Sequence, residues 1–440
     1  MSWSLQGGLN PVGEENLFWN LAETAAPDAG FDSDASWLEL YLKPGVNFRK
    51  RISSDSTFYG RLSAVASFTA STDAFDATDT GRVTLEEAYL GYRASSSAGL
   101  SFDVSLGARE LRLGTGMLIS NGGSSGFERG ALKFGPRKAW ERSAIARLSK
   151  GALTATAFYL DPNELESNDT ETAQAGVDWR WDPSDGVYLG LTYVHVLESE
   201  APYPQAAPGG VGPPTVTTGA REDLNAANLY AGARPFEGAL SGLFLRSDLA
   251  YQWNDRIDLE AWGGRVQAGV EFSSARWAPT LTYSYQAFSG DDPDTTRLER
   301  FDPLQFEGSP SAWATGSKSS MVFINSNLRA HQLSLRLQHS KRHATTLRYA
   351  HIRVDEERSP IQFGQATRVD FGDGVATVIS GVTDAHLADD FFVEYSQTIN
   401  PNTFLTAGVS LSVPGEGIER VAEGGVPDWT GGFINVVFNY

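Results

Sequence analysis

The chain has 440 residues, a formal net charge of −19 and no cysteine, which excludes a disulfide framework or thiolate metal site and argues against a nucleic-acid partner. Glycine and aromatic residues (Gly 45, Trp 11, Tyr 15, Phe 24) run from end to end, so a single domain over 1–440 is expected although a chain this long ordinarily splits. Mean hydropathy is −0.27 and no apolar run approaches the ~18 residues of a membrane helix, but a β-barrel needs none, because only alternate residues face lipid.

Met1-Ser2-Trp3-Ser4-Leu5 lacks the basic start and apolar core of a signal peptide, so an exported chain is expected to have lost one already. From there the dominant pattern has period two. In 37–49, Leu38, Leu40, Leu42, Val46 and Phe48 oppose Glu39, Lys43, Asn47 and Arg49. In 58–68, Phe58, Leu62, Ala64, Ala66 and Phe68 oppose Tyr59, Arg61, Ser63 and Ser67. The pattern returns at 100–109, 173–181, 243–253 and 262–272. Short turns are expected near Ser53-Ser54, Ser96-Ser97, Lys150-Gly151, Pro183-Ser184, Glu237-Gly238, Ser274-Ala275, Lys341-Arg342 and Asn400-Pro401. Long loops are expected over about 11–34, 70–83, 114–139, 161–171, 198–223, 289–327, 355–385 and 414–429, with a shorter one near 254–259. A soluble β-sandwich or β-helix would not alternate short and long connections in this way. The pattern is that of an all-β transmembrane antiparallel barrel with short periplasmic turns and long extracellular loops. Treating 114–139 as one loop, although 127–135 could form a strand, gives about eighteen strands and periplasmic termini.

At the carboxy end Ile434, Val436, Phe438 and Tyr440 alternate with Asn435 and Asn439. A last strand closing on Phe438 and Tyr440 resembles the signal read by the outer-membrane barrel assembly machinery.

The faces opposite the apolar stripes carry Arg61, Arg109, Arg246, Arg265, Arg336 and Arg348, together with Glu87, Asp103, Asp178, Asp248 and Glu271. Two readings follow. A ladder of arginine–carboxylate pairs would stiffen the wall; a surplus of arginine would attract carboxylates and phosphates, since a guanidinium keeps its charge and grips a planar carboxylate through two hydrogen bonds. Six such positions exceed what pairing requires, which favours an anion path. The loops are acidic, as in Glu14, Glu15, Glu23, Asp28, Asp32 and Asp34; solvation explains this, and bridging by divalent cations to lipopolysaccharide phosphates is the other reading.

Little points to catalysis. His339, His343 and His351 have no metal-ligand spacing, and Asp291, Asp292 and Asp294 lie outside any EF-hand pattern. Asn121-Gly122-Gly123-Ser124-Ser125-Gly126 lacks the lysine and helix of a phosphate loop. No enzyme, metal or cofactor is expected.

Two segments resemble the alginate-export family of outer-membrane barrels. One is Leu106-Gly107-Ala108-Arg109-Glu110-Leu111-Arg112-Leu113-Gly114, followed by Phe127-Glu128-Arg129-Gly130-Ala131. The other runs from Ser289-Gly290-Asp291-Asp292-Pro293-Asp294 through Glu299-Arg300-Phe301-Asp302-Pro303-Leu304 to Asn325-Ser326-Asn327-Leu328. The resemblance implies an eighteen-stranded barrel passing a uronate polysaccharide through an arginine-rich constriction, with Arg109 and Arg129 as the residues carried over. Glu110 stands where the family has glutamine, and the turn near Asn400-Pro401 is too short for that exporter's periplasmic plug. The leading expectation is thus a passive Gram-negative outer-membrane channel for an anionic polysaccharide or oligosaccharide, embedded in outer-membrane lipid and lipopolysaccharide as a monomer. A diffusion porin for small anionic nutrients, with loop 289–327 folded inward, and a surface-adhesion or assembly barrel acting through its loops are the alternatives.

Overall fold

The computed structural model describes residues 1–25, 28, 30–306, 321–361, 368–370, 377–421 and 425–440. Eighteen antiparallel strands close into one barrel. In chain order they are β1 (Ser2–Glu15), β2 (Ala35–Arg51), β3 (Ser56–Ala70), β4 (Gly81–Ser95), β5 (Leu100–Glu110), β6 (Arg142–Lys150), β7 (Leu153–Asp161), β8 (Ala173–Ser184) and β9 (Val187–Glu198). The circuit continues with β10 (Asn225–Ala233), β11 (Leu243–Asn254), β12 (Leu259–Glu271), β13 (Thr280–Phe288), β14 (Leu328–Ser340), β15 (His343–Arg353), β16 (His386–Asn400), β17 (Thr403–Pro414) and β18 (Trp429–Asn439). Each strand pairs with its neighbour in sequence. The ring closes where β1 meets β18, with Gln6 opposite Asn439 and Glu15 opposite Thr430. Closure removes the unpaired edges that hydrocarbon could not solvate.

Alternation decides which side chain meets lipid. On β11 the exposed Leu245, Leu249 and Tyr251 alternate with Phe244, Asp248, Ala250 and Gln252, all buried. Leu62, Leu90, Leu106, Val266 and Leu333 continue this apolar exterior. Two features break the alternation. A register shift between Ser63 and Ala64 against β4 leaves both Glu86 and Glu87 buried, so a β-bulge turns two consecutive acids inward. Gly107 adopts φ +118, and a Cβ there would lie 2.2 Å from the Ala88 carbonyl oxygen; only glycine fits this position beside Arg109.

Two connections differ from expectation. β1 runs to Glu15, so the first loop begins at 16 rather than 11. Pro11 is tolerated because it pairs with Leu38 of β2 but falls in a gap of the ladder to β18, where no donor is needed. Between β10 and β11 the chain takes residues 234–242, including a 3₁₀ turn at Gly238–Leu240, instead of a tight turn at Glu237-Gly238.

The interior changes character along its length. Toward the external ends the inward residues are apolar: Trp37, Ile145, Phe158, Leu160, Val194, Val196, Phe288, Leu328, Ile352 and Trp429 are all buried. They form one cluster with Leu17, Trp19, Leu111, Leu113, Met117, Phe301 and Phe323 from the loops. Trp19 stacks on Phe323 at 5.8 Å and meets Trp429 edge-on at 5.3 Å. Toward the periplasmic ends the inward residues are charged, amide, hydroxyl or aromatic.

Candidate functional site: the barrel lumen

Residues 111–138, between β5 and β6, enter the barrel. Nothing in that segment alternates, so it cannot add a strand, but it is rich in backbone donors that the wall can satisfy. Glu39 of β2 accepts from the Lys133 and Phe134 amides at 2.9 Å each. Glu86 accepts from the Lys138 amide at 2.9 Å and from Lys43 Nζ at 3.0 Å. Arg137 is fully buried and donates to Thr84 Oγ1, Ser67 Oγ and the Arg82 carbonyl. At its other end the segment reaches β11 and β12, across the barrel from β2–β4. There Thr115 Oγ1 donates to Asp248 at 2.5 Å and accepts from Arg265 at 3.0 Å. One inserted segment therefore ties opposite walls together. Its residues 127–129 form a 3₁₀ turn.

The arginines expected in the lumen separate into two groups. Arg61 pairs with Glu87 at 2.5 Å, and Arg265 with Asp248 at 3.2 Å, both side chains fully buried. Arg129 is buried and donates to the carbonyls of Ser124, Asn163 and Glu164, so it braces the inserted segment. Of the acids, Asp103 takes Arg93 and Tyr59, Asp178 takes Thr192 and Tyr230, and Glu271 takes Arg234.

The second group makes no ion pair among the described residues. Arg109 donates to Tyr59 and Ser105, and its guanidinium lies 5.7 Å and 4.7 Å from the centres of the Tyr59 and Tyr89 rings. Arg246 donates to Gln267 at 3.2 Å and sits 5.0 Å from the Phe244 ring. Arg336 donates to Gln338, and Arg348 lies 5.8 Å from the Phe392 ring. Sequence reasoning missed Arg147, which donates to Thr156; its segment alternates small residues and gives a weak signal. Arg180, which the alternation of 173–181 puts opposite the apolar stripe, was not counted among the lumen arginines. It pairs with Asp182 and stacks on Tyr188 at 4.6 Å.

Among the described residues the inward face from β16 to β1 carries no arginine: besides Glu394 it presents Ser396, Thr406, Ser410, Asn435, Asn439 and Gln6, with Gln6 donating to Asn439 at 2.7 Å. A cavity of 560 Å³ lies where the two faces meet. It is lined by Gln6, Asn435 and Asn439 on one side, Lys43, Arg61 and Glu110 on the other, and Phe134 of the inserted segment. At this cavity Lys43 is paired with Glu86 and Glu110, and Arg61 with Glu87, so the amides and hydroxyls of the other side are its free hydrogen-bonding groups.

The alginate-export family model matches residues 44–422. No curated protein sequence matches the chain significantly. Similar solved structures are outer-membrane porins at low identity. OccD3 (OpdP) of Pseudomonas aeruginosa has TM-score 0.55 and 10% identity, covering 100% of this chain and 91% of that one. OccAB2 of Acinetobacter baumannii has TM-score 0.55 and 10% identity, with 100% and 98% covered. Pseudomonas aeruginosa OccK2 (OpdF), solved in complex with glucuronate, has TM-score 0.53 and 11% identity, with 100% and 95% covered.

Proposed function

Since the chain belongs to the alginate-export family and is an outer-membrane β-barrel channel, we propose that it conducts an anionic polysaccharide or oligosaccharide, as in alginate-like export. The observation that carries this reading is the set of lumen arginines that make no ion pair among the described residues, Arg109, Arg147, Arg246, Arg336 and Arg348. Had the interior served only to stiffen the wall, each would face a carboxylate, as Arg61 and Arg265 do. Held by neutral hydrogen-bond partners or aromatic rings instead, these guanidinium groups keep their charge for a passing carboxylate. The rings beneath Arg109, Arg246 and Arg348 hold these groups extended without neutralising them. A uronate unit also carries hydroxyls, which the amide and hydroxyl groups of β16–β1 can bind. The solved glucuronate complex of the structurally similar OccK2 agrees with a uronate ligand.

Passage needs no bond-making step, and no cofactor enters the account. The proposal extends to assembly. Tyr440 exchanges backbone hydrogen bonds with Leu5, and Phe438 faces lipid beside Gly7, so both stand at the seam between β1 and β18; we assign them as the assembly signal. The functional unit is taken as a monomer within outer-membrane lipid and lipopolysaccharide.

The test is flux from liposomes loaded with oligouronates or with neutral oligosaccharides of equal length. Faster release of the oligouronates supports the proposal. Equal release, or release confined to monosaccharides, replaces it with a small-solute porin, and no release from folded protein removes the open-channel reading.

A further inference from the structure

Histidine is scarce here, six in 440 residues, yet two of the six meet on the outer wall. His351 alternates with the buried Ala350 and Ile352, so it points away from the lumen. Asp389 of β16 lies opposite it in the ladder. A register shift between Ile352 and Arg353 makes Leu387 an extra residue and sets His386 against Arg353. That bulge brings His386 round to the face of Asp389. The outcome is a three-residue cluster at the external ends of β15 and β16. Asp389 Oδ1 is 2.9 Å from His351 Nδ1, Asp389 Oδ2 is 3.0 Å from His386 Nε2, and the two rings are 4.6 Å apart between centres.

The Asp389 carboxylate is the hub of the cluster. Oδ1 accepts from Tyr349 at 2.7 Å and contacts His351. His386 Nε2, however, is buried against Oδ2 and makes no hydrogen bond among the described residues. With Nε2 bare, this nitrogen and Oδ2 at 3.0 Å are two acceptors that can share a cation. One ligand atom from each of the three residues lies within 4.8 Å of the others. Zinc–nitrogen and zinc–oxygen bonds of about 2.0–2.2 Å require separations near 3.3 Å, reached by small ring rotations. Two imidazoles and a carboxylate suit zinc and similar transition ions better than calcium or magnesium. The hydrogen bond from Tyr349 to the same carboxylate is the outer-shell partner such ligands ordinarily have.

We propose that His351, His386 and Asp389 form a site for a divalent transition-metal ion, zinc in the first instance, on the outer wall at the external rim. The ion closes the stem of the connection 354–385, since its ligands flank both ends of it. This site is independent of the lumen and of what passes through it. Sequence spacing could not show it, because its residues meet only through strand register.

The experiment is calorimetric titration of zinc chloride into tag-free full-length protein folded in detergent micelles, with folding checked by heat modifiability on gels. One zinc per chain with affinity near the micromolar range is expected. His351→Ala, His386→Ala and Asp389→Asn should each weaken it at least about tenfold, Tyr349→Phe about tenfold, and His331→Ala not at all. Cobalt should give visible bands of a four-coordinate site that vanish in His386→Ala. No saturable binding, or binding that persists in the folded His351→Ala/His386→Ala double variant, overturns the proposal.

Discussion

Arg109 owes its role to what surrounds it. Tyr59 and Tyr89 flank its guanidinium, while the nearby Asp103 is occupied by Arg93 and Tyr59. Arg109→Ala should therefore weaken block by an oligouronate about tenfold, or ~1.4 kcal/mol, whereas Arg129→Ala should instead loosen the inserted segment. Dose–response of block in single channels separates the two. Asp291, in the external connection before β14, shows a different effect of burial. Desolvation, only partly offset by bonds from Tyr203 and the Glu299 amide, pushes its carboxyl from 3.8 up to about 6. The folded state thus holds this proton more tightly than the unfolded chain, so its contribution is complete below pH 4 and is lost as pH rises through 6. On the order of 3 kcal/mol is involved. Proteolytic cleavage around Asp291 should be faster at pH 8 than at pH 5 in the natural chain and alike at both in Asp291→Asn. Asp302 of the same connection, paired at 2.8 Å with Arg221 from the connection between β9 and β10, does not respond in that window, because the arginine keeps its carboxyl below its usual range.

Among the elements, the strands were legible and the inserted segment was not. Period-two stripes such as Leu243, Leu245, Leu249 and Tyr251 can be satisfied only by a wall with one oily face, and the structure exposes Leu245, Leu249 and Tyr251 outward. Leu249→Arg should cost about 2–4 kcal/mol of folding free energy in lipid, measured by urea titration in vesicles; a negligible cost would contradict the assigned face. The segment 111–138 reads as an ordinary loop because its anchors, Glu39 and Glu86, look like any inward acids. Only register and a bulge bring them beneath the Lys133, Phe134 and Lys138 amides. The pairing of Arg265 with Asp248 was hidden for the same reason: alternation gives the face, and register gives the partner. Replacing residues 116–136 by a short glycine–serine linker should raise single-channel conductance severalfold without loss of the barrel, since no barrel strand is interrupted.

For the molecule as a whole, charge is divided by location. The net charge of −19 includes many loop acids, while arginines that make no ion pair among the described residues line the interior. An interior set of fixed cations inside low-dielectric walls acts more strongly than the same charges in water, so selectivity should follow the bore and not the overall sign. The most direct test is the reversal potential of single channels in a planar bilayer under a salt gradient, with and without added oligouronate. The account predicts anion-selective current, blocked by oligouronate, with the block weakened in Arg109→Ala. Cation-selective current, or block indifferent to Arg109→Ala, Arg246→Ala and Arg348→Ala together, would contradict it.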